Sequence, residues 1–179
     1  MGRTPAWEGA YREFFVARQR SLMRTAYAVL GSWPAAEDAV QTAFTQLYVH
    51  WPRIQPGAVD TYARRTVVHT CFRMAKQRGR ETAIGRLPDR PVPGRAATPE
   101  DGLDRLDLMV ALAELPPKAR AVIALRFLDD LSVAEVARVL DLPEGTVKSQ
   151  TARALDRLQA VLDAPQTAPR ATEGNSHDR

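Results

Sequence analysis

The chain has 179 residues, enough for one ordinary domain or two small ones, and its hydrophobic content of 45% excludes wholesale disorder. No stretch approaches the roughly 18 apolar residues of a membrane span, no apolar run precedes a small-residue cleavage site at the N-terminus, and the lone Cys71 cannot close an internal disulfide; together these point to a cytoplasmic protein with no membrane insertion. The net charge is only +4, but residues 1–78 hold 11 Lys/Arg against 5 Asp/Glu, so the basic excess belongs to the first half.

The first helical pattern begins near Ala10 and runs to Leu30, with Phe14, Phe15, Leu22, Ala26 and Leu30 recurring near a period of 3.6. Gly31 stops it. Ser32-Trp33-Pro34 opens a second helix to about Trp51, with proline suited to the first turn. Its apolar stripe is Ala36, Val40, Phe44, Leu47 and Trp51; Asp38, Gln41, Thr42 and Thr45 lie largely off that stripe. Pro52 and Pro56-Gly57 break the chain, and Asp60 is expected to cap a third helix reaching about Arg78. That helix is basic, with Arg64, Arg65, Arg73, Lys76 and Arg78 and no acid before Glu81; Tyr62, His69 and Phe72 are interleaved. Such a face suits phosphates and unstacked bases. Cys71, two residues from His69, points to a different helix face and reads as a core thiol rather than a metal ligand.

Residues 79–102 change character, with a cluster of prolines and glycines and no helical stripe, and read as a flexible linker. Helices resume near Leu103. Pro116-Pro117 opens a further helix through about Leu128, and the acid pair Asp129-Asp130 after it reads as exposed. Ser132 with Glu135 three residues on forms a capping box for the next helix. Asp141 to Pro143 is a turn, and the last helix runs to Leu162. Val147, Thr151, Ala154, Leu155, Leu158 and Leu162 are expected to face inward on it. Residues 163–179 are polar and proline-containing, and read as a disordered tail. No run alternates with a period of two, so the fold class is all-α: two helical domains, 8–78 and 103–162, joined by the linker.

Two short helices across a tight turn are the outline of a helix-turn-helix, whose second helix enters the major groove. The exposed face of the last helix carries Lys148, Ser149, Gln150, Arg153 and Arg157, with Thr146 at its start. Gln can pair bidentately with adenine, and Ser or Lys can meet bases or phosphates. The other reading is a plain helical hairpin with a solvated polar face.

The segment LAELPPKARAVIALRFLDDLSVAEVARVLDLPEGTVKSQTARALDRL resembles region 4 of bacterial sigma factors of the extracytoplasmic-function (ECF) group. Leu115-Pro116, Arg120, Arg126-Phe127, Leu131-Ser132, Glu135-Val136-Ala137 and Gly145 to Ser149 carry the likeness. LMRTAYAVLGSWPAAEDAVQTAFTQLY is similar to region 2 of the same group, through Asp38, Gln41 and Phe44 in a D-x-x-Q-x-x-F pattern. The resemblance implies a subunit that directs RNA polymerase to promoters. It implies that Asp38, Gln41, Thr42 and Thr45 meet the β′ coiled coil of core polymerase. Arg64, Arg65, His69, Phe72, Arg73, Lys76 and Arg78 would read and melt the −10 element. Thr146, Lys148, Ser149, Gln150, Arg153 and Arg157 would read −35. Core RNA polymerase (through β′ and the β flap), promoter DNA and often an anti-sigma factor are the implied partners. No cofactor, metal or catalytic residue is implied, and the sequence shows no phosphate loop, metal-spaced His/Cys set or Ser/His/Asp grouping. The alternative is a stand-alone LuxR-type regulator, which would have no use for the Asp38/Gln41 face.

Overall fold

The computed structural model describes residues 5–83 and 102–163, and every described element is helical. Helix α1 spans Glu8–Leu30, α2 Trp33–His50 and α3 Val59–Ala83; α4 spans Gly102–Ala113, α5 Pro117–Ile123, α6 Val133–Leu140 and α7 Glu144–Leu162. Of the expected linker, residues 79–83 continue α3 and Gly102 begins α4; residues 84–101, like the expected tail from 164 on, lie outside the described residues. The helix passes through Gly79 because one interior glycine costs only about 1 kcal/mol against alanine, and the flanking Gln77, Arg78, Arg80 and Glu81 are good helix formers.

The first three helices pack against one another. Gly31 takes a left-handed conformation (φ 67°) and its N–H closes on the Tyr27 carbonyl at 2.7 Å, which turns the chain sharply from α1 into α2. Tyr27 and Trp33 stack across that turn, with ring centroids 4.1 Å apart. The buried stripe of α2 is mostly small: Ala35, Ala36, Ala39, Val40, Ala43, Phe44 and Leu47. Small residues let α1 and α3 approach closely. At the far end Tyr11 sets its ring edge-on to Phe44, Tyr48 and Trp51 and donates its hydroxyl to the Phe44 carbonyl at 3.1 Å. Trp51, expected in α2, begins a 3₁₀ turn (Trp51–Arg53) because Pro52 follows it.

In the second half the capping box forms as the sequence implies. The Ser132 hydroxyl accepts from the Glu135 N–H at 3.2 Å, and the Glu135 carboxylate accepts from the Ser132 N–H at 2.7 Å. Those bonds hold the Glu135 pKa below its ordinary value. α6 ends at Asp141, itself left-handed (φ 56°), and α7 begins three residues later at Glu144. The helix expected over 117–128 is not uniform. After Ile123 it widens into a π-helical segment, Ala124–Leu128, with the Asp129 N–H reaching back to the Ala124 carbonyl. π-segments of this kind are frequent at functional positions. Leu155 and Leu162, expected inward, are exposed; Val147, Ala154 and Leu158 are the buried positions of α7.

The two halves share one core. Leu22, Ala26 and Val29 of α1 and Val67, Val68 and Cys71 of α3 belong to the same buried cluster as Ala121, Val122 and Leu125 of α5 and its π-segment, and Val136, Val139 and Leu140 of α6. Helix α1 touches α5 and the π-segment, and α3 touches α5 and α6. Within this core Cys71 is fully buried, and burial pushes its thiol up to about 12. Native protein is expected to resist thiol reagents at pH 8 and to react only after denaturant unfolds it. The sign of the pH effect follows from the raised value. The thiol's contribution is fully present below its ordinary pKa near 9.0, and stability falls as pH rises from there toward about 12, because the unfolded thiol ionises first. Urea midpoints measured at pH 8 and pH 10 check it.

Candidate nucleic-acid and polymerase interfaces

Three surfaces carry the residues singled out in the sequence. On α2, Asp38, Gln41 and Thr45 are exposed at three- and four-residue spacing and so share one face; Thr42 is half-buried beside them. Asp38 makes no hydrogen bond or ion pair to another described residue, and Thr45 donates its hydroxyl only to the Gln41 carbonyl one turn back. This face is therefore not committed to holding the fold. Phe44 lies on the opposite side in the core.

On α3, Arg65, His69, Arg73 and Lys76 are exposed in sequence steps of four, four and three, which aligns them as one basic strip. Phe72 is half-buried beside it, its ring 6.1 Å from His69, and Arg78 is exposed one turn further on. Burial and the Arg65 cation lower the His69 pKa. Between this strip and α2 runs a cleft of about 260 Å³ whose walls include Gln46, Tyr62, Arg65, His69 and Arg73. Its mixture of an aromatic ring, amide and guanidinium groups matches what stacks and hydrogen-bonds an unpaired base.

Arg64 is a correction. Expected on the DNA face, it is only 7% exposed, because it falls in phase with Val67, Val68 and Cys71 on the core-facing side. Its guanidinium pairs with Asp60 at 2.7 Å and with Asp129 at 3.1 Å. Burial opposes its charge, but the two carboxylates outweigh that and raise its pKa. Asp60 is not the cap of α3 but lies in its first turn, where it joins Arg18 (3.0 Å) to Arg64. Asp129, expected exposed, has a side chain only 1% exposed. The sequence carried one signal for this, namely that Arg64 sits on the apolar period of its helix. Nothing local announced its partner 65 positions away.

On α7, Lys148, Ser149, Arg153 and Arg157 are exposed, and Thr146 and Gln150 are half-buried. Ser149 donates to the Thr146 carbonyl at 3.0 Å, leaving its oxygen free to accept. Gln150 differs from expectation: its Oε1 is buried without a partner, so the side chain leans toward the protein rather than straight out of the helix. Residues Glu144–Gln150 form the first two turns of α7 after the α6–α7 corner, the part of a helix-turn-helix that meets base edges. Among the described residues no group of His, Cys, Asp and Glu could hold a metal ion, and no helix is long and apolar enough to cross a membrane.

Residues 14–81 match the family model Sigma-70 region 2, and residues 105–158 match Sigma-70, region 4. The RNA polymerase sigma-E factor of Streptomyces coelicolor is 33% identical over 94% of this chain and 95% of its own length. The ECF RNA polymerase sigma factor SigE of Mycolicibacterium smegmatis is 30% identical over 88% of this chain and 62% of its own length. Among solved structures, the sigma factor RpoE of Bartonella quintana, co-crystallised with the anti-sigma factor NepR, aligns with a TM-score of 0.72 at 21% identity, covering 88% of this chain and 99% of that one. CnrH, in complex with the cytosolic domain of CnrY, aligns at 0.65 and 23% identity, over 88% of this chain and 90% of its own. The helical fold is thus shared with the two solved structures, and the sequence along most of the chain with the first two relatives: the chain belongs to the sigma-70 family of RNA polymerase sigma factors, in the extracytoplasmic-function group.

Proposed function

We propose that three separate faces divide the work of this sigma factor. The α2 face of Asp38, Gln41, Thr42 and Thr45 holds the β′ coiled coil of core polymerase. The α3 strip of Arg65, His69, Phe72, Arg73, Lys76 and Arg78, with the adjoining cleft, takes the −10 element and a splayed base from it. The start of α7, with Thr146, Lys148, Ser149 and Gln150, reads −35, while Arg153 and Arg157 further along meet phosphates. The single observation that carries this division is that Asp38, Gln41 and Thr45 on α2 and Arg65, His69, Arg73 and Lys76 on α3 make two separate exposed faces. Base unstacking costs a few kcal/mol per step, and capture of the freed base on Tyr62 and the basic strip offsets it. The protein works in the cytoplasm as a non-catalytic subunit, with the β flap as the polymerase site for region 4 and an anti-sigma factor as a regulatory partner.

Run-off transcription with purified core polymerase on genomic promoter fragments tests the reading. Transcripts that depend on this protein and share a −35/−10 pair are the expected result. Duplex binding by the protein alone, with core polymerase silent, would transfer the assignment to a stand-alone regulator.

A further inference from the structure

Two glycines stand at the same place in their helices. Gly9 is the second residue of α1 and Gly145 the second residue of α7, and each follows a glutamate. Neither takes a positive φ; among the described residues the one glycine that does is Gly31, where the chain turns. Both are exposed, and a methyl group at either would meet no other described part of the protein within 4 Å. The fold therefore asks for glycine at neither position. Glycine is also the weaker choice there, because it loses more backbone freedom than alanine on entering a helix. Gly9 lies on a face with no assigned work. Gly145 does not: Lys148 and Ser149 follow it by three and four residues, so all three share one exposed strip of α7.

We propose that Gly145 is where promoter DNA lies against the backbone of α7. The missing side chain lets the wall of the major groove close onto the first turn of the helix, and so sets how far Lys148 and Ser149 reach toward base edges. The proposal rests on the reading of α7 as the −35 helix and adds a positioning residue to it. The contact is one of fit rather than charge. Glu144, exposed beside Gly145, already complements the positive end of the helix and would repel a phosphate held there. What Gly145 supplies is room, and any side chain at that position would hold the helix off the groove. One added methyl in a fitted contact is expected to weaken binding about tenfold, and a longer side chain to weaken it further. The free protein responds in the opposite sense, because alanine suits the helical backbone at this position better than glycine does.

The test uses holoenzyme assembled from core polymerase and the full chain, on a promoter fragment recovered by the run-off selection, with its −35 base pairs intact or scrambled. The parent, Gly145→Ala, Gly145→Leu, Gly9→Ala and Lys148→Ala are compared for affinity and for its dependence on salt, and as free proteins for urea midpoint. Gly145→Ala is expected to bind the intact fragment about tenfold more weakly than the parent, and Gly145→Leu more weakly still. Both should keep the parent's salt dependence and a urea midpoint no lower than the parent's, and the loss should vanish on the scrambled fragment. Lys148→Ala removes a cation, so it should weaken binding and flatten the salt dependence. Gly9→Ala should match Gly145→Ala in midpoint and the parent in affinity. Parent-like affinity in both Gly145 variants overturns the proposal. So does a loss of affinity that comes with a lower midpoint, which marks a glycine that the fold needs. If the Gly145 variants bind like the parent while Lys148→Ala is weakened on the intact fragment alone, the −35 reading stands and the role of Gly145 falls by itself. If the parent holoenzyme does not distinguish the two fragments, the −35 reading fails and takes this role with it.

Discussion

Arg120→Ala is expected to destabilise the protein by about 3–5 kcal/mol, a large share of the roughly 5–15 kcal/mol that holds a domain folded. The guanidinium fork serves three backbone carbonyls at once. Nε donates to Leu115 at 2.8 Å, Nη2 to Ala113 at 2.7 Å and Nη1 to Val29 at 3.0 Å. Ala113 ends α4 and Val29 lies in the last turn of α1, so one side chain satisfies carbonyls that helix ends leave without intrahelical partners. Burial lowers the Arg120 pKa, yet an arginine stays charged, and a charged donor makes the stronger class of hydrogen bond. Alanine would strand three acceptors in a poorly hydrated corner. Arg120→Lys is expected to fall between the two, because an ammonium is a point donor and cannot span the fork. Urea unfolding checks this: the midpoint should drop with little change in slope. A loss below about 1 kcal/mol for Arg120→Ala would show that water replaces the guanidinium at no cost.

What could be read in the sequence divides along physical lines. The helices, the capping box at Ser132 and the helix-turn-helix corner were legible because each depends on residues within one or two turns of each other. Phe44 and Cys71 were legible as core from their helical phase alone. The mutual arrangement of the halves was not, because its determinants pair at long separation: Arg64 with Asp129 and Arg65 with Asp141. A basic residue on a basic helix reads as a DNA contact until its partner is seen. The same holds for Asp129, where an acid pair after a helix looks solvated unless the π-segment before it is known to turn one member inward. Leu155 and Leu162 show the reverse error. Each follows by one residue a position of the packed line Ala154, Leu158 and Val161, so both fall on the outer edge of that line and stay exposed.

The α2 face offers the cleanest separation of function from stability. Asp38 and Gln41 are exposed, and Asp38 is not paired to any other described residue, so replacing both with alanine should move the unfolding free energy by no more than about 0.5 kcal/mol. Alanine also has the higher helix propensity at both positions. Their effect on polymerase should be far larger. An interface carries most of its binding energy in a few central residues, each costing about 2 kcal/mol or more on truncation, which corresponds to about 30-fold in affinity. The Asp38→Ala/Gln41→Ala protein is therefore expected to lose at least about 30-fold in affinity for core polymerase, and its run-off signal should recover only at high protein concentration. The α3 and α7 surfaces are untouched in this variant, so its affinity for single-stranded DNA should match the parent's. That pairing of outcomes distinguishes a polymerase-docking face from a residue that merely shapes the DNA site. Equal loss in both assays would place Asp38 and Gln41 with the −10 strip. No loss in either would leave the α2 face as ordinary solvated helix, and the hold on polymerase would then have to come from the second half of the chain.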